Sequence, residues 1–156
     1  MSLEILGALA PAPFVVIPPG RKFPTERDWP HKGISLGELN RRRANNPRIN
    51  VGLILGPTSG VVDLDCDGPA AEASLRKLFD GEPPATLSFA SKRGRHLLFR
   101  YDPRFAELKN AFKSDDYPDL EFRLGGSAAA QTVIPPSTVD GIRREWLNVY
   151  EVAEWT

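Results

Sequence analysis

Three aspartates stand at alternate positions in Val61-Val62-Asp63-Leu64-Asp65-Cys66-Asp67, a run that ends at Gly68-Pro69. Val and Leu favour a strand, and a strand sends residues two apart to one face. Asp63, Asp65 and Asp67 therefore share a face, with Asp65 and Asp67 nearest the strand's exit. Carboxylates packed this closely repel one another and titrate as a group. A divalent metal relieves the repulsion, and hard oxygen ligands suit magnesium or manganese. The pattern points to metal-assisted chemistry on a phosphate. A solvated strand end or a helix cap is the other reading of the same pair. Asp63 lies a full pleat further in. If buried, it needs a basic side chain or backbone amides as partner.

Two further segments could serve the same chemistry. Ser91-Lys92-Arg93-Gly94-Arg95-His96 is a basic loop with a glycine inside it. Glycine lets the backbone approach an anion, Lys and Arg supply charge for a triphosphate, and His96 can donate to a phosphate oxygen from the rim of a cleft. Read alone, the segment is equally a solvated hairpin loop with a half-buried histidine. In Asp119-Leu120-Glu121-Phe122-Arg123, Leu120 and Phe122 point one way and Asp119, Glu121 and Arg123 the other. Glu121 could complete a carboxylate trio, with Arg123 at a neighbouring site. Alone this is the alternation of any half-exposed strand.

The elements that must position these residues are short. Fifteen prolines and thirteen glycines in 156 residues imply many turns and exclude a helical bundle. Residues 13–18 read as a strand, and 21–33 as a polar loop carrying Lys22, Pro24 and Trp29. Ser35 with Glu38 has capping-box spacing, so a helix runs from there to about Ala44. The segment 50–66 reads as a hairpin about Gly56-Pro57-Thr58-Ser59-Gly60. A helix follows over 69–79, with Pro69 at its first turn, Asp67 as a possible cap, and a stripe of Ala71, Leu75, Leu78 and Phe79. Strands are expected at 86–90, 96–101, 119–124, 131–134 and 145–150, with turns at Pro135-Pro136-Ser137 and Asp140-Gly141. The pattern is α+β, with mixed or antiparallel sheets and two or three helices.

Composition narrows the partners. The 20 basic and 20 acidic residues balance, so nucleic acid would have to be held by a local patch such as Arg41-Arg42-Arg43 or Lys92-Arg93-Gly94-Arg95. The lone Cys66 excludes an internal disulfide and a cysteine-rich zinc site. No stretch has the length and apolarity of a membrane span, and no signal peptide is evident. The expected location is the cytoplasm.

The order of segments carries a resemblance. Gly52-Leu53-Ile54-Leu55-Gly56, then Gly60 through Gly68, then Gly94-Arg95-His96-Leu97-Leu98-Phe99-Arg100, then Leu120-Glu121-Phe122-Arg123, then Gln131-Thr132-Val133-Ile134-Pro135-Pro136-Ser137 resembles the bifunctional DNA primase/polymerase N-terminal (prim-pol) domain of the archaeo-eukaryotic primase superfamily. Pro18, Lys22, Pro24 and Trp29 are similar to its early loop. The resemblance spans about residues 8–150 and implies a single catalytic domain over 1–156, without the accessory helical domain and helicase of longer members.

It implies roles residue by residue. Asp65, Asp67 and Glu121 match the catalytic metal ligands, which hold two Mg2+ or Mn2+ ions. His96 matches a contact to the phosphates of the incoming nucleotide. Arg123, Gln131 and Ser137 match recurrent positions near the nucleotide, and Lys22 a recurrent basic position. Ser91, Lys92 and Arg95 accompany His96. The implied partners are a single-stranded DNA template, dNTP or NTP, and a replicative helicase, in replication of a phage, plasmid or integrated element. The implied activity is template-directed nucleotidyl transfer. A metal-dependent nuclease or phosphatase would use the same carboxylates, and a non-catalytic replication module would keep the fold.

The chain departs from the family pattern at several positions. Gly94 stands where a serine often precedes the histidine by two, and Val139 where a histidine often follows the Pro-Pro-Ser turn. The stretch before Gln131 is glycine-rich, Gly125-Gly126-Ser127-Ala128-Ala129-Ala130. Zinc-binding insertions are absent. Asp63 occupies a position that is commonly apolar in the family, so it is not expected to be a metal ligand.

Overall fold

The computed structural model describes residues 1–125 and 129–155; Gly126, Ser127 and Ala128 of the glycine-rich stretch, and Thr156, lie outside the described residues. The fold is α+β, with three α-helices and antiparallel sheets.

A three-stranded sheet takes β1 (Phe14–Ile17), β2 (Asn50–Ile54) and β8 (Gln131–Ile134) in the order β1-β2-β8. A six-stranded sheet is built from β3 (Val61–Cys66), β4 (Ser88–Ala90), β5 (Arg95–Arg100), β6 (Ala111–Ser114), β7 (Tyr117–Arg123) and β11 (Glu145–Trp146), in the order β11-β4-β5-β3-β7-β6. A small hairpin joins β9 (Thr138–Val139) to β10 (Ile142–Arg143). The helices are α1 (Ser2–Leu9), α2 (Leu36–Asn45) and α3 (Pro69–Phe79). Among the described residues, no helix is long and apolar enough to cross a membrane.

The aspartate strand β3 is central, paired with β5 on one side and β7 on the other. Its alternation divides two cores. Val62, Leu64 and Cys66 face α3 and pack with Ala71, Leu75, Leu97, Phe99 and Phe122. On the opposite face Val61 joins Leu87, Phe89 and Leu98 against Phe14, Val51, Leu53 and Ile134 of the three-stranded sheet, with Leu6 of α1 and Leu39 of α2 behind them. Burial of two apolar layers at about 25 cal/mol per Å² fixes β3 in register. Asp63 and Asp65 belong to the second face, where the two sheets part into a cleft.

Two local expectations change. The segment 50–66 is a corner, not a hairpin, because β2 pairs with β1 and β8 while β3 enters the other sheet. Gly56, at φ +92, turns the corner, and a Cβ there would lie 2.4 Å from the Gly125 carbonyl oxygen. Apolar strands on both sides of a glycine turn carry no signal of which sheet each joins. At α3 the cap is Gly68, with no side-chain hydrogen bond, so Asp67 is left for the cleft. At α2 the Ser35 hydroxyl does accept from the Glu38 amide at 3.2 Å. Helix α1 and strand β6 have no counterpart among the expected elements.

Candidate active site

The cleft at the exit of β3 has a volume of about 340 Å³ and is lined by Asp65 and Asp67, by Ser91, Lys92 and Arg93 of the β4–β5 loop, and by Lys22, His96, Asp140 and Arg144. A second recess of about 180 Å³ shares Lys22, Asp65, His96 and Arg144 and adds Phe23, Arg123, Gln131 and Thr132. Register explains the convergence. Asp65 lies directly opposite His96 on β5 and directly opposite Glu121 on β7. Directly opposed positions have Cβ atoms about 4.5–5.5 Å apart. One row across the sheet therefore carries His96, Asp65 and Glu121.

A buried pair lies one pleat deeper. His96 Nδ1 is 2.8 and 3.1 Å from the two carboxylate oxygens of Asp63, which is fully buried. The imidazole stacks flat on Phe89, with ring centroids 4.5 Å apart. Its other nitrogen, Nε2, lies 3.5 Å from Asp65 Oδ1 at the cleft wall. A carboxylate on Nδ1 fixes ring orientation and places a proton on that nitrogen. Burial disfavours the charged imidazole, but the charge and hydrogen bond of Asp63, with Asp65 beyond, outweigh it and raise the His96 pKa. Burial likewise opposes the Asp63 carboxylate, and His96 overcomes it, so Asp63 titrates below its ordinary range.

Asp65 is the strained member. Burial pushes its pKa up, and the charges of Asp63, Glu121 and Asp67 push the same way against His96. Burial and the clustered carboxylates thus disfavour the charge on Asp65, while His96 favours it. Glu121 is drawn aside, its Oε1 3.2 Å from Arg123 Nη1, while Arg123 Nη2 donates to the Gln131 carbonyl at 2.6 Å. Among the described residues no three His, Cys, Asp or Glu side chains converge closely enough to hold a metal ion. The donor chemistry of Asp65, Asp67 and Glu121 nonetheless fits a hard divalent cation: all are oxygen ligands, and Asp65 carries charge that a cation would offset.

The profile of the family described as bifunctional DNA primase/polymerase, N-terminal, matches residues 8–155. The chain belongs to that family. No curated protein matches it. A DNA primase/polymerase domain is therefore the frame for the cleft.

Within this prim-pol domain the expected site residues separate into groups. Asp65, Asp67, His96, Ser91, Lys92 and Lys22 line the main cleft, and Arg123 and Gln131 line the adjoining recess. Glu121 shares the row of Asp65 but is held by Arg123. Asp63 has the basic partner its burial requires, and that partner is His96.

Three expectations are corrected. Arg95 is not in the cleft. It lies on the α3 side, where it donates twice to Glu72, both at 2.9 Å, and Cys66 Sγ lies 3.1 Å from the same carboxylate. The cause is parity: Arg95 and His96 are adjacent on one strand and must face opposite ways. Ser137 is buried, with its hydroxyl accepting from the Val51 amide at 2.7 Å, and it ties β2 to the turn after β8 instead of reaching the nucleotide side. His96 is a buried ring with one exposed edge, not a rim residue, because β5 is covered by Phe89 at that register. Gly94, too, serves packing: a Cβ there would lie 2.0 Å from the Cys66 carbonyl oxygen.

Arg144 and Asp140 were not legible as site residues. The Asp140-Gly141 pair between Val139 and Ile142 is a hairpin signal, and it places Asp140 3.6 Å from Lys22 Nζ. Arg144 is half-buried, donates to the Val133 carbonyl at 2.7 Å and sits over the Phe89 ring. Burial lowers its pKa. Nothing in its sequence neighbourhood marks it.

Proposed function

We propose that the cleft catalyses template-directed nucleotidyl transfer from a nucleoside triphosphate. The observation that carries this reading is the row His96–Asp65–Glu121 across three paired strands, beside a cleft lined by Asp65 and Asp67 together with Lys22, Lys92, Arg93 and Arg144. A triphosphate with its cations is complementary to a cleft that offers both carboxylates and basic side chains. Asp65, Asp67 and Glu121 would hold two divalent cations, Mg2+ or Mn2+, which when bound neutralise the reacting phosphate and activate the attacking hydroxyl.

The chain's own residues supply positioning. Lys92 and Arg93 present charge to the β- and γ-phosphates, and Ser91 a hydroxyl. His96, oriented by Asp63, offers the cleft a single nitrogen and, when charged, donates a hydrogen bond to a phosphate oxygen. Asp63 thus acts through His96. Arg123 steadies Glu121 and, through the Gln131 carbonyl, links it to β8. Gln131 in turn donates to the Lys22 carbonyl at 2.8 Å, holding the early loop over the recess. Preorganised charge of this kind carries most of the rate in phosphoryl chemistry.

The proposed partners are a single-stranded DNA template and dNTP or NTP, in replication of a phage, plasmid or integrated element. The test is incubation with primed and unprimed single-stranded templates, Mg2+ or Mn2+, and labelled dNTPs or NTPs. Extension or primer synthesis that requires the cation and both Asp65 and Asp67 is the expected result. Template cleavage without incorporation would overturn it in favour of a nuclease.

A further inference from the structure

A second cavity lies outside the cleft. It has a volume of about 380 Å³ and is walled by Arg43, Arg48 and Arg143, with Pro47, Pro136 and Asn50. The arginines come from three separate places: the last turn of α2, the loop after it, and β10. Among the described residues no carboxylate lines the cavity. Among the described residues none of the three guanidinium groups is in an ion pair or a side-chain hydrogen bond, whereas their neighbours Arg41 and Arg42 are both bound to Glu38.

Three like charges around one hollow repel, and an anion removes that repulsion. Guanidinium forks fit phosphate in particular. The backbone around the hollow is tied down before any ligand arrives. Asn50 Nδ2 donates to the Arg21 and Thr138 carbonyls, both at 2.8 Å, and the two prolines stiffen the rim.

The cavity shares a wall with the catalytic cleft. In the β9–β10 hairpin, Thr138 pairs with Arg143 and Val139 with Ile142. The first pair faces the arginine cavity, and the second faces the cleft. A chain of phosphates leaving the cleft over this hairpin meets the arginines one pleat away.

We propose that Arg43, Arg48 and Arg143 form a binding site for a backbone phosphate of single-stranded DNA, next to but separate from the nucleotide site. The placement of the strand across the hairpin rests on the polymerase reading of the cleft; the phosphate site itself does not.

The test is fluorescence anisotropy of a short labelled single-stranded oligonucleotide, with and without a 5′-phosphate, over a range of salt. The full chain is compared with a variant carrying Arg43→Gln, Arg48→Gln and Arg143→Gln, and with a charge-matched control carrying Arg76→Gln, Arg104→Gln and Lys109→Gln. Each phosphate contact to a single strand contributes about 0.7 to the log–log salt slope, so the cavity variant should lose a slope of about 0.7 and bind about tenfold more weakly. The control should lose clearly less. Tighter binding of the 5′-phosphorylated strand, lost in the cavity variant, assigns the site to a strand end; equal binding assigns it to internal phosphates. Equal losses in the cavity variant and the control would overturn the site. Metal-dependent nucleoside triphosphate binding, measured on the same samples, should be unchanged in the cavity variant. Its absence from the unmodified protein would instead contradict the polymerase reading and leave the phosphate site standing.

Discussion

The same two strands, β3 and β5, carry two polar clusters on opposite faces. On the α3 face Arg95, Glu72 and Cys66 form a closed set: one cation, one carboxylate, two hydrogen bonds, and a thiol whose pKa burial and Glu72 push up to about 12. On the cleft face Asp63, His96, Asp65 and Glu121 form an open set, in which burial and the neighbouring carboxylates disfavour the charge on Asp65, only partly offset by His96, and Asp65 lines the cleft. Both are built by the same register. The closed cluster stabilises the sheet, whereas the open one needs something more to complete it. An unbalanced polar cluster at a cleft is the stronger sign of function.

The largest expected effect breaks the open cluster at its deepest point. His96→Ala leaves the Asp63 charge buried and unpaired, and should cost about 3–5 kcal/mol in urea unfolding. It should also weaken nucleotide binding. A loss below about 1 kcal/mol would mean that Asp63 is solvated or neutral and that the buried pair is wrong. The closed cluster should respond less. Arg95→Ala removes a partly exposed bidentate pair, with an expected cost of about 1–2 kcal/mol and unchanged nucleotide affinity. A fall in affinity would return Arg95 to the site.

Asp65 should show the opposite sign. Since burial and its neighbours disfavour its charge, Asp65→Asn should stabilise the cation-free protein by about 1 kcal/mol while removing activity, the usual trade at a functional position. Destabilisation would place Asp65 in the structural class with Glu72.

The two clusters should also differ in their pH response, read as melting temperature in EDTA. His96 has a raised pKa, so its stabilising contribution is complete below its ordinary value of 6.5 and is lost as pH rises through the folded value. Glu72 has a lowered pKa, from its hydrogen bond to Arg95 despite some burial, so its contribution is present above 4.5 and is lost as pH falls. Asp63 adds to the acid loss in the same way. Asp63→Asn should flatten the alkaline decline, and Glu72→Gln should trim only the acid side.

Much of this was legible in the sequence. The shared face of Asp63 and Asp65, the helix over 69–79, the Ser35 cap and the strands near 13–18, 96–101, 119–124 and 131–134 follow from period, propensity and capping alone, whereas the strand expected over 145–150 is confined to Glu145–Trp146. Parity already separated Arg95 from His96, but a run of basic residues conceals a strand boundary at Arg95. The partner of Asp63 was not legible, because register between β3 and β5 depends on a hairpin closed by Gly94 against Cys66. Arg144 and the arginine cavity were hidden for the same reason: Arg43, Arg48 and Arg143 are brought together only by the meeting of α2 with the β9–β10 hairpin.

The central claim is that Asp65 and Asp67 bind nucleotide through divalent cations. Titration calorimetry of a nucleoside triphosphate into the protein, with Mn2+ and again with EDTA, alongside a folded Asp65→Asn/Asp67→Asn variant, tests it directly. Binding in Mn2+ that weakens at least about tenfold, a change of about 1.4 kcal/mol, in both EDTA and the variant is the predicted result. Binding of equal strength in EDTA, or in the variant, would contradict the claim.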